Sequence, residues 1–258
     1  MRVLMVGDVV GRPGRRAVSA LLPRLREEHR IELVVANGEN AAGGIGITPV
    51  TAQELLQSGV DIITTGNHVW HHREIIPYLE TQPEPRIVRP LNLPPEVPGS
   101  GYIVKDNVMV VNLLGRVFMG HYDCPFRAMD RLLEECAQRP PVVLVDFHAE
   151  ATAEKMALGW YLDGRVSAVL GTHTHVGTID ARILNKGTAF VSDVGMAGAS
   201  ESVIGDDISS VIDRFLTMMP HRLSAGRGKP ILNSVLLDIE IDTGRATSIS
   251  RLDLDLVE

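Results

Sequence analysis

The chain is poor in cysteine, with only Cys124 and Cys136 among 258 residues. Two thiols twelve positions apart, with a helical pattern running through both, make neither a disulfide framework nor a thiolate metal site. That pattern suits a reducing cytoplasm. No apolar run reaches the ~20 residues that a membrane-spanning helix needs. The first apolar stretch is broken by Asp8 and lacks a small-residue cleavage site, so it does not read as a secretory signal. Positive charge is scarce as well. The formal net charge of −7 argues against broad electrostatic binding to a nucleic-acid backbone, although Arg12, Arg15 and Arg16 could still make one local basic pocket. Repeats and low-complexity segments are absent. What remains is a chain that is 45% hydrophobic and long enough for a full core.

The first half alternates strand and helix signals. Arg2 to Gly7 is a short apolar run ending just before an acid. Val18, Leu21, Leu22 and Leu25 recur at helical spacing and predict a helix over Gly14 to His29, with Pro23 inside it. Ile31 to Ala36 is the next strand. Thr48-Pro49 opens a helix, Thr51 and Glu54 are spaced like a capping box, and Gly59 ends it. Asp61 to Thr65 is a third strand. This alternation predicts a largely parallel sheet with helices on its faces. A proline-rich connector follows over Gln82 to Gly101. Tyr102 to Leu114 reads as a hairpin turning at Lys105-Asp106-Asn107. Then come a helix over Cys124 to Ala137, a strand over Pro141 to Phe147, a helix over Ala151 to Leu162 and a strand over Val166 to Leu170. Near the C-terminus, Leu232 to Ile241 and Thr247 to Leu256 alternate around Asp242-Thr243-Gly244, a hairpin with one wet face that can close a sheet or pair across an interface. The expected architecture is one α/β domain over 1–258, with two packed β-sheets flanked by helices.

Metal-competent side chains fall at the carboxyl ends of these strands. Asp8 follows the first strand and Glu39-Asn40 the second. Gly66-Asn67-His68 follows the third, His148 the Pro141–Phe147 run, and His173 and His175 the last. In open α/β sheets the crevice beyond those ends is where ligands bind. Each residue has a bland reading taken singly: Asp8 as a helix N-cap, Glu39, Asn40 and Asn67 as turn residues, His148 as a hydrogen-bonded core histidine. Their joint placement favours a site. Two carboxylates, two amides and three imidazoles are too many for one tetrahedral ion and suit two cations sharing a bridging carboxylate. Mixed nitrogen and oxygen donors suit iron or manganese and admit zinc. His29, His71, His72, His121 and His221 lack this placement and read as surface or supporting residues. Gly7, Gly11 and Gly14 precede a helix, but their spacing is not that of a dinucleotide loop; with the nearby arginines they could still seat a phosphate.

In the order of these motifs, from residue 8 to 175, the chain resembles the calcineurin-like metallophosphoesterases. It departs from them twice: Asp8-Val9-Val10 stands where that superfamily has Asp-x-His, and Glu39 stands where it has a bridging aspartate. Those departures, together with GDVVGRPGRR, ANGENAAGGIG and VSDVGMAGA, resemble the YmdB-like branch over nearly the whole chain. The resemblance implies a four-layer sandwich with two mixed sheets and a phosphodiesterase of cyclic nucleotides, the 2′,3′-cyclic kind. It implies one cation on Asp8, Glu39, Asn40 and His175, a second on Glu39, Asn67, His148 and His173, and His68 as proton donor.

The chemistry of such a pair agrees. Two cations ~3.5–4 Å apart activate a shared water for in-line attack at phosphorus and neutralise the phosphoryl oxygens. The departing alkoxide needs a proton, and an imidazole tethered beside the metals by its neighbour Asn67 can deliver it. Arg12, Arg15 or Arg16 are candidates to touch the phosphate. Loops over Gly195 to Gly205 and Gly115 to Asp123 are expected to set substrate size, with a small phosphodiester or nucleotide favoured over RNA. Alternatives are a phosphatase or nuclease on the same metals, or a nucleotide sensor that does not hydrolyse. No membrane role is expected, and a homo-oligomer is.

Overall fold

The computed structural model describes residues 1–256 except Gln82, Pro83 and Pro85. Those three begin the predicted connector, and that part of it lies outside the described residues. The chain runs β1 (Arg2–Val9), α1 (Gly11–His29), β2 (Leu33–Asn37), α2 (Pro49–Gln57), β3 (Ile62–Thr64), α3 (Ile75–Thr81) and β4 (Ile87–Val88). It continues with β5 (Tyr102–Lys105), β6 (Val108–Leu114), α4 (Pro125–Glu135), β7 (Val142–His148), α5 (Thr152–Leu162), β8 (Ala168–Thr172), β9 (Arg182–Ile183) and β10 (Ala189–Val191). The last elements are β11 (Met196–Asp206), α6 (Ile208–Thr217), β12 (Ala225–Leu232), β13 (Ser234–Ile239), β14 (Ala246–Arg251) and β15 (Leu254–Asp255).

Two mixed sheets form, one in the order β15-β12-β11-β1-β2-β3-β4 and the other β5-β6-β7-β8-β10-β9. Side-chain alternation sorts each central strand between two cores. Val3, Met5, Leu33 and Val35 meet Val108, Val110, Val142 and Leu144 between the sheets. Leu4, Val6, Val34 and Ala36 turn the other way, onto α1 and α2. Met109, Val111, Val143 and Val145 face α4 and α5. The layers therefore run helix, sheet, sheet, helix, as expected. Strands buried on both faces explain why the first half reads as continuous apolar runs.

The C-terminal hairpin closes a sheet. Its first strand, β13, runs antiparallel to the first half of β1, pairing Arg2–Val6 with Asp238–Ser234, whereas the end of β1 pairs in parallel with β11 at Asp8 and Val9. Several local expectations need correction. Helix α1 starts at Gly11 rather than Gly14, and its N-cap is Val10 without a side-chain bond, so Asp8 caps nothing. The capping box is Thr48 with Thr51, not Thr51 with Glu54, because Thr48 holds the extended N-cap backbone before Pro49. Glu54 lies a turn further on and accepts from Arg15 Nε at 2.7 Å. The Gly195–Gly205 stretch is mostly strand β11, not a loop. Its small residues form a strand because β1 and β12 supply the hydrogen bonds on either side. Cys124 and Cys136 flank α4 at opposite ends and stay free. No helix among the described residues is long and apolar enough to cross a membrane.

Candidate metal centre

The parallel strands β1, β2, β3, β7 and β8 end at one edge, and there Asp8, Glu39, Asn40, Asn67, His68, His148, His173 and His175 come together. The glycine before Asn67 has no room for a side chain. A Cβ on Gly66 would sit 2.2 Å from Glu39 Oε2 and 2.5 Å from His148 Nε2, so the backbone itself forms the floor.

The donors fall into two groups that meet at Glu39. In one, His148 Nε2 lies 3.1 Å from Glu39 Oε1, 3.1 Å from Asn67 Oδ1 and 3.0 Å from His173 Nδ1. The opposite nitrogens fix the tautomers. Thr172 Oγ1 donates to Asp146 Oδ1 at 2.6 Å, so His148 Nδ1 donates to Thr172 Oγ1 at 2.9 Å. His173 Nε2 donates to Glu150 Oε2 at 3.1 Å. Lone pairs from two imidazoles, an amide and a carboxylate thus face one point, and a single proton there can serve only one of them. A cation serves all four. Donor atoms of Glu39, His148 and His173 lie within 4.8 Å of one another, a geometry able to hold a metal ion.

In the second group, Asp8 Oδ2 accepts from the His173 backbone N–H at 3.0 Å, while Oδ1 is fully buried with no hydrogen-bond partner. A buried carboxylate oxygen without a donor is costly unless a cation neutralises it. His175 Nε2 lies 3.6 Å from that oxygen, with its Nδ1 donating to the Ile204 carbonyl at 2.6 Å. Asn40 completes the group with its Nδ2, which donates to Glu39 Oε1 at 3.1 Å and lies 3.3 Å from His175 Nε2. Its Oδ1 faces His68 Nδ1 at 2.9 Å. A half-turn of the carboxamide exchanges the two atoms and brings the oxygen to the Asp8 side. His173 and His175 therefore address different groups, and both hold left-handed backbone, φ 96° and 64°.

The electrostatics show how strongly the site draws positive charge. Burial alone lowers the affinity of His175 for a proton, but Asp8 outweighs it and holds the ring up at about 9. His148 is raised in the same way, chiefly by Glu39 against its own burial. His173 is pushed down to about 3 by burial and by His148 beside it. Burial pushes Asp8 and Glu39 up, yet the histidines around them win and both carboxylates ionise below their ordinary range. In the metal-free protein a proton thus stands on His175 below about pH 9. A cation that takes Nε2 must displace it. Metal binding at pH 7 is expected to release about one proton or more and to tighten as pH rises toward 9. Calorimetry in buffers of different ionisation heat checks this; no proton release at pH 7 would contradict it.

The YmdB-like protein family matches residues 4–252. The chain belongs to the YmdB-like family. It is 47% identical over 256 residues to a 2′,3′-cyclic-nucleotide 2′-phosphodiesterase of Bacillus subtilis (strain 168), covering 98% of this chain and 96% of that one. Among solved structures, a hypothetical protein from Thermus thermophilus superposes with a TM-score of 0.92 at 47% identity, covering 99% of each chain. A novel phosphatase of Mycoplasma pneumoniae superposes at 0.91 with 30% identity, covering 99% of this chain and 93% of that one.

Other residues support the centre from beneath without being singled out by the sequence. Asp146, buried on β7, accepts from Thr172, Thr64 and Asn37 and so orients His148 through Thr172. Its burial pushes it up to about 6. The signal was present as one acid within an otherwise apolar strand. Lys155 on α5 donates to Asp193 Oδ2 at 2.8 Å, with exposures of only 2% and 1%. The same oxygen accepts from the Thr174 N–H at 3.1 Å and the Thr174 hydroxyl at 2.6 Å, pinning the turn between His173 and His175. Removing one partner of a buried pair strands the other charge. Lys155→Ala is therefore expected to destabilise the fold by about 3–5 kcal/mol and to loosen metal binding. Denaturant unfolding with metal analysis checks it.

A cavity of about 770 Å³ opens over the centre, lined by Glu39, Asn40, His68, His173 and His175, and on its rim by His71, His72, Arg214, His221 and Arg222. The rim histidines had no placement signal because His71 and His72 lie just before α3 and His221 follows α6, none directly after a strand; His29 and His121 do not line the cavity. Arg12, Arg15 and Arg16 are absent from it too. Arg15 is held by Glu54 and the Ala41 carbonyl. The first N–H of α1 donates to the Asn40 carbonyl at 2.9 Å rather than to a phosphate. A Cβ on Gly14 would lie 2.2 Å from the Ala197 carbonyl oxygen, so that glycine serves close packing against β11.

Proposed function

We propose that this chain is a dinuclear-metal phosphodiesterase that hydrolyses cyclic nucleotides, the 2′,3′-cyclic kind first. One observation supports the reading: two groups of nitrogen and oxygen donors meet at Glu39, one of them containing the orphaned Asp8 Oδ1. The name of the Bacillus subtilis relative supports the substrate class. Asp8, Glu39, Asn40 and His175 would hold one cation, and Glu39, Asn67, His148 and His173 the other. Iron or manganese suits these nitrogen and oxygen donors, and zinc is admissible. When bound, two such ions supply an activated water and neutralise charge on the phosphoryl oxygens.

The chain's own residues do the rest. His68 Nδ1 lies 3.1 Å from Glu39 Oε1 and beside the Asn40 carboxamide, which leaves Nε2 for the cavity. As water oxygen bonds to phosphorus and the bond from phosphorus to O2′ breaks, His68 gives its proton to O2′. Arg214 and Arg222 on the rim attract the anion. A cavity of this size accepts a nucleotide and favours it over folded RNA. The domain would span 1–258 and work in the cytoplasm.

The test is turnover by purified, manganese-loaded protein on 2′,3′-cyclic AMP, 3′,5′-cyclic AMP, a phosphomonoester and short RNA. Fastest turnover of the 2′,3′-cyclic diester is expected. Turnover confined to the monoester or RNA would make it a phosphatase or nuclease, and bound metal without any turnover would make it a sensor.

A further inference from the structure

A second cavity, of about 560 Å³, opens where the strands of the second sheet begin, at the edge opposite the metal centre. Pro141 and Val166 on its wall lie just ahead of β7 and β8, whose far ends carry His148 and lead to His173. A seven-residue strand such as β7 separates the two places by roughly 20 Å. Arg139, Arg165, Lys186 and Arg245 line this cavity against a single carboxylate, Glu134, on a chain of net charge −7. Like charges gathered in one cavity repel, and an anion relieves them. Arg139 is aimed by the Leu133 carbonyl at 3.1 Å, which carries no net charge. Arg165 gives one N–H to Asp130 at 2.7 Å and lies over the Tyr161 ring. Among the described residues, Lys186 Nζ and the Arg245 guanidinium have no hydrogen-bond or ion-pair partner. The turns that carry them are fixed. Asp163, itself buried, accepts the Lys186 backbone N–H at 3.0 Å, and the Ala246 N–H donates to the Gly187 carbonyl at 2.9 Å. A Cβ on Gly244 would lie 2.0 Å from the Pro141 carbonyl oxygen, so that turn packs directly on the start of β7.

We infer that this cavity seats a small diphosphate anion, at a site separate from the metal centre. The charges decide the ligand. Asp130 and Glu134 offset two of the four cations, which leaves Lys186 and Arg245 on adjacent turns, and a diphosphate has one phosphoryl group for each. Guanidinium forks match phosphoryl oxygens in pairs, and a lysine ammonium adds a compact point charge. No aromatic side chain lines the cavity, so the ligand is held by its phosphates rather than by a stacked base. An extended nucleic-acid backbone would meet the acidic remainder of the chain, whereas a small anion meets the cavity alone. Because it bridges turns that are far apart in sequence, the bound anion also stabilises the folded state.

The test is titration calorimetry of pyrophosphate into the metal-loaded full chain, repeated after chelation, and it does not depend on the proposed reaction. One saturable equivalent is expected to survive removal of the metals. The double variant Lys186→Ala, Arg245→Ala, at two exposed positions, is expected to keep its circular dichroism and to bind that equivalent at least about tenfold more weakly. Arg214→Ala, Arg222→Ala, on the rim of the other cavity, is expected to bind it as the wild type does. No binding after chelation overturns the proposal, and so does a loss in the rim variant in place of the first. Thermal unfolding of the metal-free wild type gives a second measure that needs no variant. Pyrophosphate is expected to raise the midpoint above that in chloride of equal ionic strength, and equal midpoints overturn it.

Discussion

Glu39→Ala is expected to leave a folded protein that binds neither cation. The carboxylate lies between the two donor sets, with side chains of both against its oxygens. Its Oε1 faces His148 Nε2, Asn40 Nδ2 and His68 Nδ1, each at 3.1 Å, and its Oε2 accepts the His68 backbone N–H at 3.0 Å. Removing it takes away the shared negative charge and leaves Asp8 as the one carboxylate among the proposed ligands. The loss of metal-derived charge stabilisation, worth several kcal/mol, corresponds to at least about 10³-fold in turnover. Glu39→Gln separates shape from charge, since it keeps an oxygen in place and drops the negative charge. Metal analysis reads the result: content falling from about two ions per chain to near none supports the bridge, and two ions in Glu39→Ala would refute it.

His68→Ala is expected to keep both cations and lose about 10²–10⁴-fold in turnover. Metal retention follows from the geometry, because the bond from residue 68 to Glu39 Oε2 comes from the backbone N–H and survives loss of the ring. The rate loss follows from the ribose alkoxide, a poor leaving group without a proton. A diester with a nitrophenolate leaving group needs no such proton, so its loss should be far smaller. Equal losses on both substrates, or none on either, would remove His68 from the proton-donor role.

Much of the centre was legible because it obeys a local rule. Asp8, Glu39, Asn67, His148, His173 and His175 all follow short apolar runs, and runs of that kind become parallel strands whose ends share an edge. The supporting residues follow no such rule. Asn37 and Asp146 lie inside strands, and Lys155 lies inside a helix, where a polar residue could equally face solvent. Only the second sheet and the β10–β11 turn make them buried partners. Strands β11 and β12 escaped for a related reason. MAGASESV and AGRGKP have poor strand propensity, and they are strands because of what they pair with.

Short apolar runs, helical spacing and turn residues were enough to indicate the succession of strands and helices and the set of side chains delivered to one edge. Tertiary structure decided the rest. It alone set which nitrogen of each histidine faces inward, since Thr172, Glu150 and Ile204 take the other proton from residues far away in the chain. It alone split β1 between β13 and β11, and it gathered Arg139, Arg165, Lys186 and Arg245 around one cavity. The physical reason is range. Period and turn chemistry act over a few residues, whereas a buried carboxylate finds its neighbours only after the sheets have packed.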